Sequence, residues 1–209
     1  MSAAREEVLR RVREAKPASA AAIVPAYRRH GTLDEEQCVA LFCERVGEYR
    51  ADVRRCTEED LAGIVASVGA ERDARRLVAP DGVPRSWRSP ALELVADEGL
   101  SASELDQMDG ALTGCTVAIA ETGTIVLTAS PSEGRRAVTL VPDLHVCVVR
   151  ETQIVQLLPE ALARIAGAGL QNRPITFVSG PSATSDIELN RVEGVHGPRD
   201  LVVLVVKES

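Results

Sequence analysis

Residues 115–128 have the sequence CTVAIAETGTIVLT, which is the strongest strand signal in the chain. Two β-rich runs in this stretch are separated by the polar tetrapeptide ETGT at residues 121–124. Gly123 suits a tight turn because glycine has no Cβ and tolerates a positive φ. The pattern therefore predicts a β-hairpin with Gly123 in its turn.

Shorter patterns on both sides of this hairpin predict alternating strands and helices. Residues 175–178 and 201–206 are continuous apolar runs, which suit strands covered on both faces. Further strands are predicted over residues 51–56, 76–79 and 144–149, and helices over residues 3–16, from about residue 34, over 58–68 and over 159–168. Strand–helix–strand order is typical of parallel crossovers. We therefore predict an α/β fold with a mixed, mostly parallel sheet flanked by helices on both sides.

The composition favours a folded protein and argues against nucleic-acid binding. Of the 209 residues, 45% are apolar and 26% are charged, so the chain has enough apolar material for a core. Aromatic residues make up only 2%, and the net charge is −7. Residues 1–90 carry a net charge of +1 and residues 91–209 carry −8. Nucleic-acid binding relies on basic surfaces and often on aromatic stacking, so we expect no nucleic-acid partner.

The sequence also bears on compartment and on metal content. No run approaches the roughly 20 apolar residues that span a bilayer, and residues 1–16 lack the apolar segment of a signal peptide. We therefore expect a cytoplasmic protein without a membrane span. The five cysteines are irregularly spaced and include no C-x-x-C pair. We predict no metal site and no cofactor of its own on that ground.

The richest group of polar side chains directly follows the predicted strand at residues 175–178. Residues 179–188, SGPSATSDIE, contain four hydroxyls and two carboxylates. Loops after the strands of open α/β sheets commonly bind ligands, and hydroxyls with backbone N–H groups can hold a phosphate or carboxylate. The alternative is a capped turn whose hydroxyls satisfy local backbone groups. The candidate ligand-binding residues here are Gly180, Ser182, Thr184, Ser185, Asp186 and Glu188.

A histidine between two glycines forms the second candidate segment. Gly194 and Gly197 flank His196 in the loop before the last predicted strand. The glycines allow a ligand to approach closely, and an imidazole titrates near neutral pH. The alternative is a histidine that bonds only to loop backbone. His196 is a candidate catalytic residue, with Gly194 and Gly197 as candidate ligand-binding residues.

The hairpin turn supplies the third candidate segment. Glu121 is followed by Thr122 and Gly123. A carboxylate that points from such a turn into a cleft can act as a base or nucleophile. The alternative is an exposed turn glutamate. Glu121 is a candidate catalytic residue, and Thr122 and Gly123 are candidate ligand-binding residues.

These three segments together resemble a known family. The sequences AETGTI at residues 120–125, GPSATSDIE at 180–188 and GVHGP at 194–198 are similar to the LUD domain of the lactate utilization protein C family. The resemblance covers about residues 34–206. It implies a fold similar to the group of glucosamine-phosphate isomerase, ribose-phosphate isomerase and CoA-transferase.

The same resemblance suggests how the chain is divided. We expect an N-terminal helical extension and connector over residues 1–33 and a LUD domain over residues 34–209. The segment ETG at residues 121–123 also resembles the E-x-G segment that carries the catalytic glutamate in some CoA-transferases, although the flanking residues of that motif are missing.

The resemblance implies a role in the bacterial oxidation of L-lactate to pyruvate, alongside partner proteins that carry iron–sulfur clusters. A chain without C-x-x-C pairs fits a subunit of that system that has no cluster of its own. We expect this subunit to have a small-anion pocket. Such a chain is a component of a lactate-oxidising complex rather than a complete enzyme. The alternative is a free-standing isomerase or CoA-transferase-like enzyme that uses Glu121. In either case we expect the three segments to converge on one pocket at the carboxyl edge of the sheet.

Overall fold

A computed structural model describes residues 3–15, 27–181 and 197–208. The helices of this part are α1 (Ala3–Ala15), α2 (Glu35–Glu48), α3 (Leu61–Glu71), α4 (Ala102–Asp106) and α5 (Leu158–Gly167). The first strands are β1 (Asp52–Thr57), β2 (Arg76–Ala79), β3 (Glu93–Ala96), β4 (Gly110–Thr113) and β5 (Val117–Ile119). The others are β6 (Thr124–Leu127), β7 (Leu144–Arg150), β8 (Ile154–Val155), β9 (Thr176–Val178) and β10 (Asp200–Lys207).

The larger of two sheets has six strands in the order β1-β10-β7-β4-β2-β3. All adjacent strands in this sheet run parallel to each other. The central pair, β7 and β10, is in register from Leu144 opposite Asp200 to Arg150 opposite Val206. Residues 201–206 are all buried, which explains why this strand is a continuous apolar run. The α/β prediction and the strand at residues 201–206 are confirmed.

The smaller sheet has four strands in the order β8-β5-β6-β9. β5 and β6 form the predicted antiparallel hairpin, and Gly123 occupies its turn with φ of 58°. β8 pairs with β5 in parallel, whereas β9 pairs with β6 in antiparallel orientation. The mixed character predicted for one sheet therefore lies in this second sheet.

The apolar clusters show that the elements pack in four layers: α3, the larger sheet, α2 with the smaller sheet, and α5. α3 packs Leu61 and Val65 on one face of the larger sheet. α2 and the inner face of the smaller sheet cover the other face, with Phe42 and Val46 fully buried. α5 covers the outer face of the smaller sheet through Ala161 and Ile165.

α2 begins next to Asp34, as the sequence predicts, and a capping box that was not predicted fixes its start. The Asp34 carboxylate accepts a hydrogen bond from the Gln37 backbone N–H at 2.9 Å. The Gln37 side chain accepts in return from the Asp34 N–H at 3.1 Å. Two N–H groups that the helix leaves without partners are thus satisfied at its first turn.

Two predicted elements differ from the structure. β9 is not covered on both faces: it is an edge strand that pairs with β6 within the described residues, and Phe177 is half-exposed. α3 begins at Leu61 rather than at residue 58, because Thr57 and Asp60 form a turn before it. The Thr57 hydroxyl donates to the Asp60 carboxylate at 2.8 Å and accepts from the Asp60 N–H at 3.4 Å.

Within residues 3–15, 27–181 and 197–208, no helix is long and apolar enough to cross a membrane. All five cysteines of this part are free thiols. Cys115 and Cys147 are buried among the apolar residues between the sheets. They are core residues, as their strand-like surroundings predict.

Candidate functional site

Glu121 is held at the hairpin turn by contacts on both sides. Its backbone N–H donates to the Gln156 carbonyl oxygen at 3.1 Å. Two residues further on, a Cβ at Gly123 would lie 2.7 Å from the backbone of Arg45 and Val46, near the end of α2. Position 123 therefore requires glycine for its close packing as well as for its positive φ.

A chain of hydroxyl groups joins this turn to the start of the loop at residues 179–188. The hydroxyls of Thr122 and Thr124 are 2.8 Å apart. The Thr124 hydroxyl is in turn 2.7 Å from that of Ser179, directly after β9. The hairpin turn and the first residue of the polar loop are therefore neighbours.

The described ends of the two candidate loops also meet near the end of α2. Gly180 has φ of 115°, and a Cβ there would lie 2.8 Å from the Cβ of Tyr49, which follows the helix. A Cβ on Gly197 would lie 3.3 Å from the carbonyl oxygen of Pro181. Gly180, Gly197 and the turn at Gly123 therefore lie in one region. Ser182, Thr184, Ser185, Asp186, Glu188, Gly194 and His196 lie outside the described residues, and their roles remain predictions.

The predicted placement of this region at the carboxyl edge of the sheet is wrong for Gly197. Gly197 lies three residues before β10 begins, at the amino end of that parallel strand. The Arg199 N–H donates at 2.8 Å to the Asp143 carbonyl, which directly precedes β7. The reason is that Gly197 precedes β10, and a residue just before a strand of a parallel sheet lies at the amino edge of that sheet.

Glu121 lies in a cleft, and its carboxylate forms an ion pair with Arg28. The cleft has a volume of about 530 Å³. Its lining residues are Tyr27, Arg28, Glu121, Leu157, Leu158, Pro159 and Leu162. Leu158 and Leu162 are one helical turn apart on α5 and are 43% and 44% exposed. The cleft is therefore apolar along its α5 side and charged at the Arg28–Glu121 end.

Gln156 holds the segment that carries Arg28 against the start of α5. Its side-chain oxygen accepts hydrogen bonds from the Thr32 N–H at 2.6 Å and the Leu33 N–H at 2.9 Å. A Cβ at Gly31 would lie 2.3 Å from the same oxygen, so the close approach requires glycine there.

Glu160 on α5 adds a second support to this segment. Its carboxylate accepts from the Gly31 N–H at 3.0 Å and from the Leu157 N–H at 2.8 Å. Burial, the largest single influence, raises the pKa of Glu160. The N–H groups of Gly31, Leu157 and Gln156 and the nearby His30 together lower it by more, so the net result is a lowered pKa.

Arg28 and Gln156 are site residues that the sequence patterns did not predict. Arg28 lies in the predicted extension over residues 1–33, and nothing in its local pattern indicates a partner 93 positions away. Gln156 did give a signal, because it is a polar residue between the apolar pairs Ile154–Val155 and Leu157–Leu158. A polar side chain in a buried run usually serves a specific hydrogen bond.

His145 lies inside β7, away from the cleft, as its strand-like surroundings predict. It is buried, and its Nε2 lies 2.8 Å from the Thr113 hydroxyl. Its Nδ1 has no hydrogen-bond partner among the residues that the structure describes. Burial, and secondly the charge of Arg136, lowers the pKa of His145 to about 4. The histidine is therefore a neutral core residue near pH 7.

No group of three or more His, Cys, Asp and Glu side chains that could hold a metal ion occurs in the part of the chain described here.

Comparison with known proteins gives the family. Residues 39–206 match the family model of the LUD domain. This chain belongs to the LUD domain family.

Relatives of this LUD domain are found in several bacteria. It is 44% identical over 204 residues to the lactate utilization protein C of Deinococcus radiodurans, covering 97% of this chain and 95% of the relative. It is 28% identical over 183 residues to that of Shouchella clausii, covering 85% and 79% of the two chains. The crystal structure of a DUF162 family protein from Deinococcus radiodurans is similar with a TM-score of 0.74 and 39% identity, covering 84% of this chain and 99% of that one.

The first prediction concerns Gln156 in this LUD domain. In Gln156→Ala, the Thr32 and Leu33 amides should exchange with deuterium about 10-fold faster or more, because two hydrogen bonds to one acceptor are lost. The Glu121 amide donates to the backbone oxygen of residue 156 and should keep its exchange rate. Gln107→Ala, at an exposed glutamine, is the matched control. Unchanged exchange at Thr32 and Leu33 would show that the side chain does not hold this segment.

The second prediction concerns the pH dependence of stability. Between pH 6.5 and 4 the unfolded chain binds a proton at His145 that the folded chain does not, so the free energy of unfolding falls as the pH falls. The contribution is at most about 3 kcal/mol over that range. Urea unfolding at several pH values should give a shallower decline for His145→Gln than for the natural chain. Parallel declines in the two proteins would contradict the neutral buried imidazole.

Proposed function

We propose that this LUD domain acts in bacterial L-lactate utilisation as a subunit that carries no iron–sulfur cluster of its own. The observation that supports this most is the 44% identity to the lactate utilization protein C of Deinococcus radiodurans, because it extends over 97% of this chain. An alignment of that extent includes the hairpin turn, the cleft and the core that supports them.

The cysteines support a role without a cluster. The sequence has no C-x-x-C pair, and clusters are usually held by closely spaced cysteines. Cys38, Cys56, Cys115 and Cys147 are buried, and burial raises the pKa of the Cys38 and Cys56 thiols. Thiols that remain protonated are poor metal ligands. Iron–sulfur partner subunits would carry the electrons, because the cysteines of this chain are not spaced to hold a cluster.

A small-anion pocket near the end of α2 completes the proposal. Thr122, Thr124 and Ser179 place three hydroxyls in one hydrogen-bonded chain. Gly180 and Gly197 let the backbone pack closely there, because a Cβ would lie 2.8 Å from Tyr49 at the first and 3.3 Å from the Pro181 carbonyl oxygen at the second. Hydroxyls and backbone N–H groups together can bind a carboxylate. Each neutral hydrogen bond contributes only about 0.5–1.5 kcal/mol, so affinity for a small anion should be in the millimolar range.

The third prediction tests this role in the cell. Deleting the gene from its own bacterium should abolish growth on L-lactate as sole carbon source and leave growth on pyruvate unchanged, because only the oxidation step is lost. A plasmid copy of the natural gene should restore growth, and the tagged protein should copurify with iron–sulfur proteins. Normal growth of the deletion strain on L-lactate would refute the proposed function.

A free-standing enzyme that uses Glu121 is the second candidate function. It is favoured by the position of Glu121, whose carboxylate lies in a cleft with apolar walls rather than on an open turn. Incubation of the purified chain with acyl-CoA donors or sugar phosphates separates the two functions. Turnover that is lost in Glu121→Gln would favour the enzyme, whereas absence of turnover with every donor leaves the subunit role.

A further inference from the structure

The Arg28–Glu121 end of the cleft offers a donor and an acceptor side by side. The Arg28 guanidinium has five N–H groups in a planar fork, which suits a carboxylate. The Glu121 carboxylate offers only acceptors. Their side chains are 63% and 46% exposed, so a ligand in the cleft can reach both. A ligand that fits this pair presents an anionic acceptor and a hydrogen-bond donor on neighbouring atoms.

The rest of the cleft selects an apolar group next to that polar head. Leu158 and Leu162 form the α5 side, and Tyr27 lines the same space. A volume of about 530 Å³ lies within the range of small-molecule sites and far exceeds what a three-carbon acid fills. The cleft therefore has room for a ligand with a larger apolar side chain.

The local charge favours a hydroxyl over an ammonium as the donor. Arg28 pairs with Glu121, and Arg29 lies 5.6 Å from the centre of the Tyr27 ring, which lines the cleft. These two guanidinium groups exceed the single carboxylate of Glu121 by one charge. A hydroxy carboxylate, with a net charge of −1, balances that excess, whereas an amino acid zwitterion leaves it unbalanced. A carboxylate is attracted by the excess of guanidinium groups on this segment.

We propose that this cleft, which is separate from the small-anion pocket near the end of α2, binds a 2-hydroxy carboxylate with a branched or extended apolar side chain. The inference rests on the proposed role in L-lactate utilisation and names the substrate class of the cleft. Arg28 binds the ligand carboxylate, Glu121 accepts the hydrogen bond of the 2-hydroxyl, and Leu158 and Leu162 contact the side chain. Gln156 is a positioning residue, because its side chain holds the Arg28 segment and its backbone oxygen holds the Glu121 amide. L-Lactate itself binds as the smallest member of the class.

The fourth prediction tests the ligand class by calorimetric titration of the full chain. L-2-Hydroxyisocaproate should bind about tenfold more tightly than L-lactate, since each buried methylene contributes roughly a factor of four and the open cleft buries only part of the chain. 4-Methylpentanoate, which lacks the hydroxyl, and L-leucine, which replaces it by an ammonium, should each bind at least about fivefold more weakly than L-2-hydroxyisocaproate.

Variants separate the polar head from the apolar wall. Arg28→Gln should weaken binding of L-2-hydroxyisocaproate at least about tenfold, because a charged hydrogen bond is lost. Arg10→Gln, an exposed arginine that is also paired with glutamate, is the matched control and should bind normally. Leu162→Ala should reduce the preference for L-2-hydroxyisocaproate over L-lactate without removing L-lactate binding, an effect that general damage to the fold would not produce.

Three results would overturn the ligand assignment. The first is that L-2-hydroxyisocaproate does not bind at about 50 mM. The second is that 4-methylpentanoate binds as tightly as L-2-hydroxyisocaproate, and the third is that L-leucine binds more tightly than it. None of them alters growth of the deletion strain on L-lactate, so the ligand assignment and the proposed function can fail separately.

Discussion

Gln156 is the residue on which the geometry of the cleft depends. Its side-chain oxygen accepts from the Thr32 and Leu33 amides, and its backbone oxygen accepts from the Glu121 amide. One residue thus joins an N-terminal segment and a hairpin turn that lie far apart in the sequence. It also directly precedes Leu157 and Leu158, which line the cleft. Because Gln156 is buried, its side-chain oxygen has little access to water, and loss of these hydrogen bonds would leave a buried acceptor without a partner.

The layers behind the cleft explain why the hairpin turn has a fixed position. The central strands of the larger sheet are buried on both faces, and α2 packs Phe42 and Val46 between this sheet and the smaller one. The last turn of α2 then meets the backbone at Gly123 with no room for a side chain. The buried carboxylate of Glu133 accepts from the Thr128 and Ser130 amides and fixes the loop after β6. The site is thus supported by packed elements on the side away from solvent.

The sequence predicts the parts of the fold that local pattern controls. The hairpin at Gly123, the start of α2 next to Asp34 and the apolar strand at residues 201–206 all follow from spacing and residue type. The division into two sheets does not, because strand pairing is a long-range property and β9 has the same apolar composition as a central strand. The ion pair of Arg28 with Glu121 was missed for the same reason.

The candidate site was predicted in part. Thr122, Gly123, Gly180 and Gly197 do lie in one region, and Glu121 does lie in a cleft. The predicted carboxyl-edge location was wrong for Gly197, because this residue precedes β10 and therefore lies at the amino edge of the larger sheet. Gly180 does follow the carboxyl end of a strand, but that strand is β9 of the smaller sheet.

The most direct test of this account is the rate of L-lactate-dependent dye reduction in extracts of the deletion strain. In this assay L-lactate loses two electrons and two protons to give pyruvate, and the dye accepts the electrons. Adding the purified natural chain should restore the reaction, and adding Arg28→Gln should restore less than about a tenth of it at low L-lactate. Full activity in extracts that lack the chain would contradict the account.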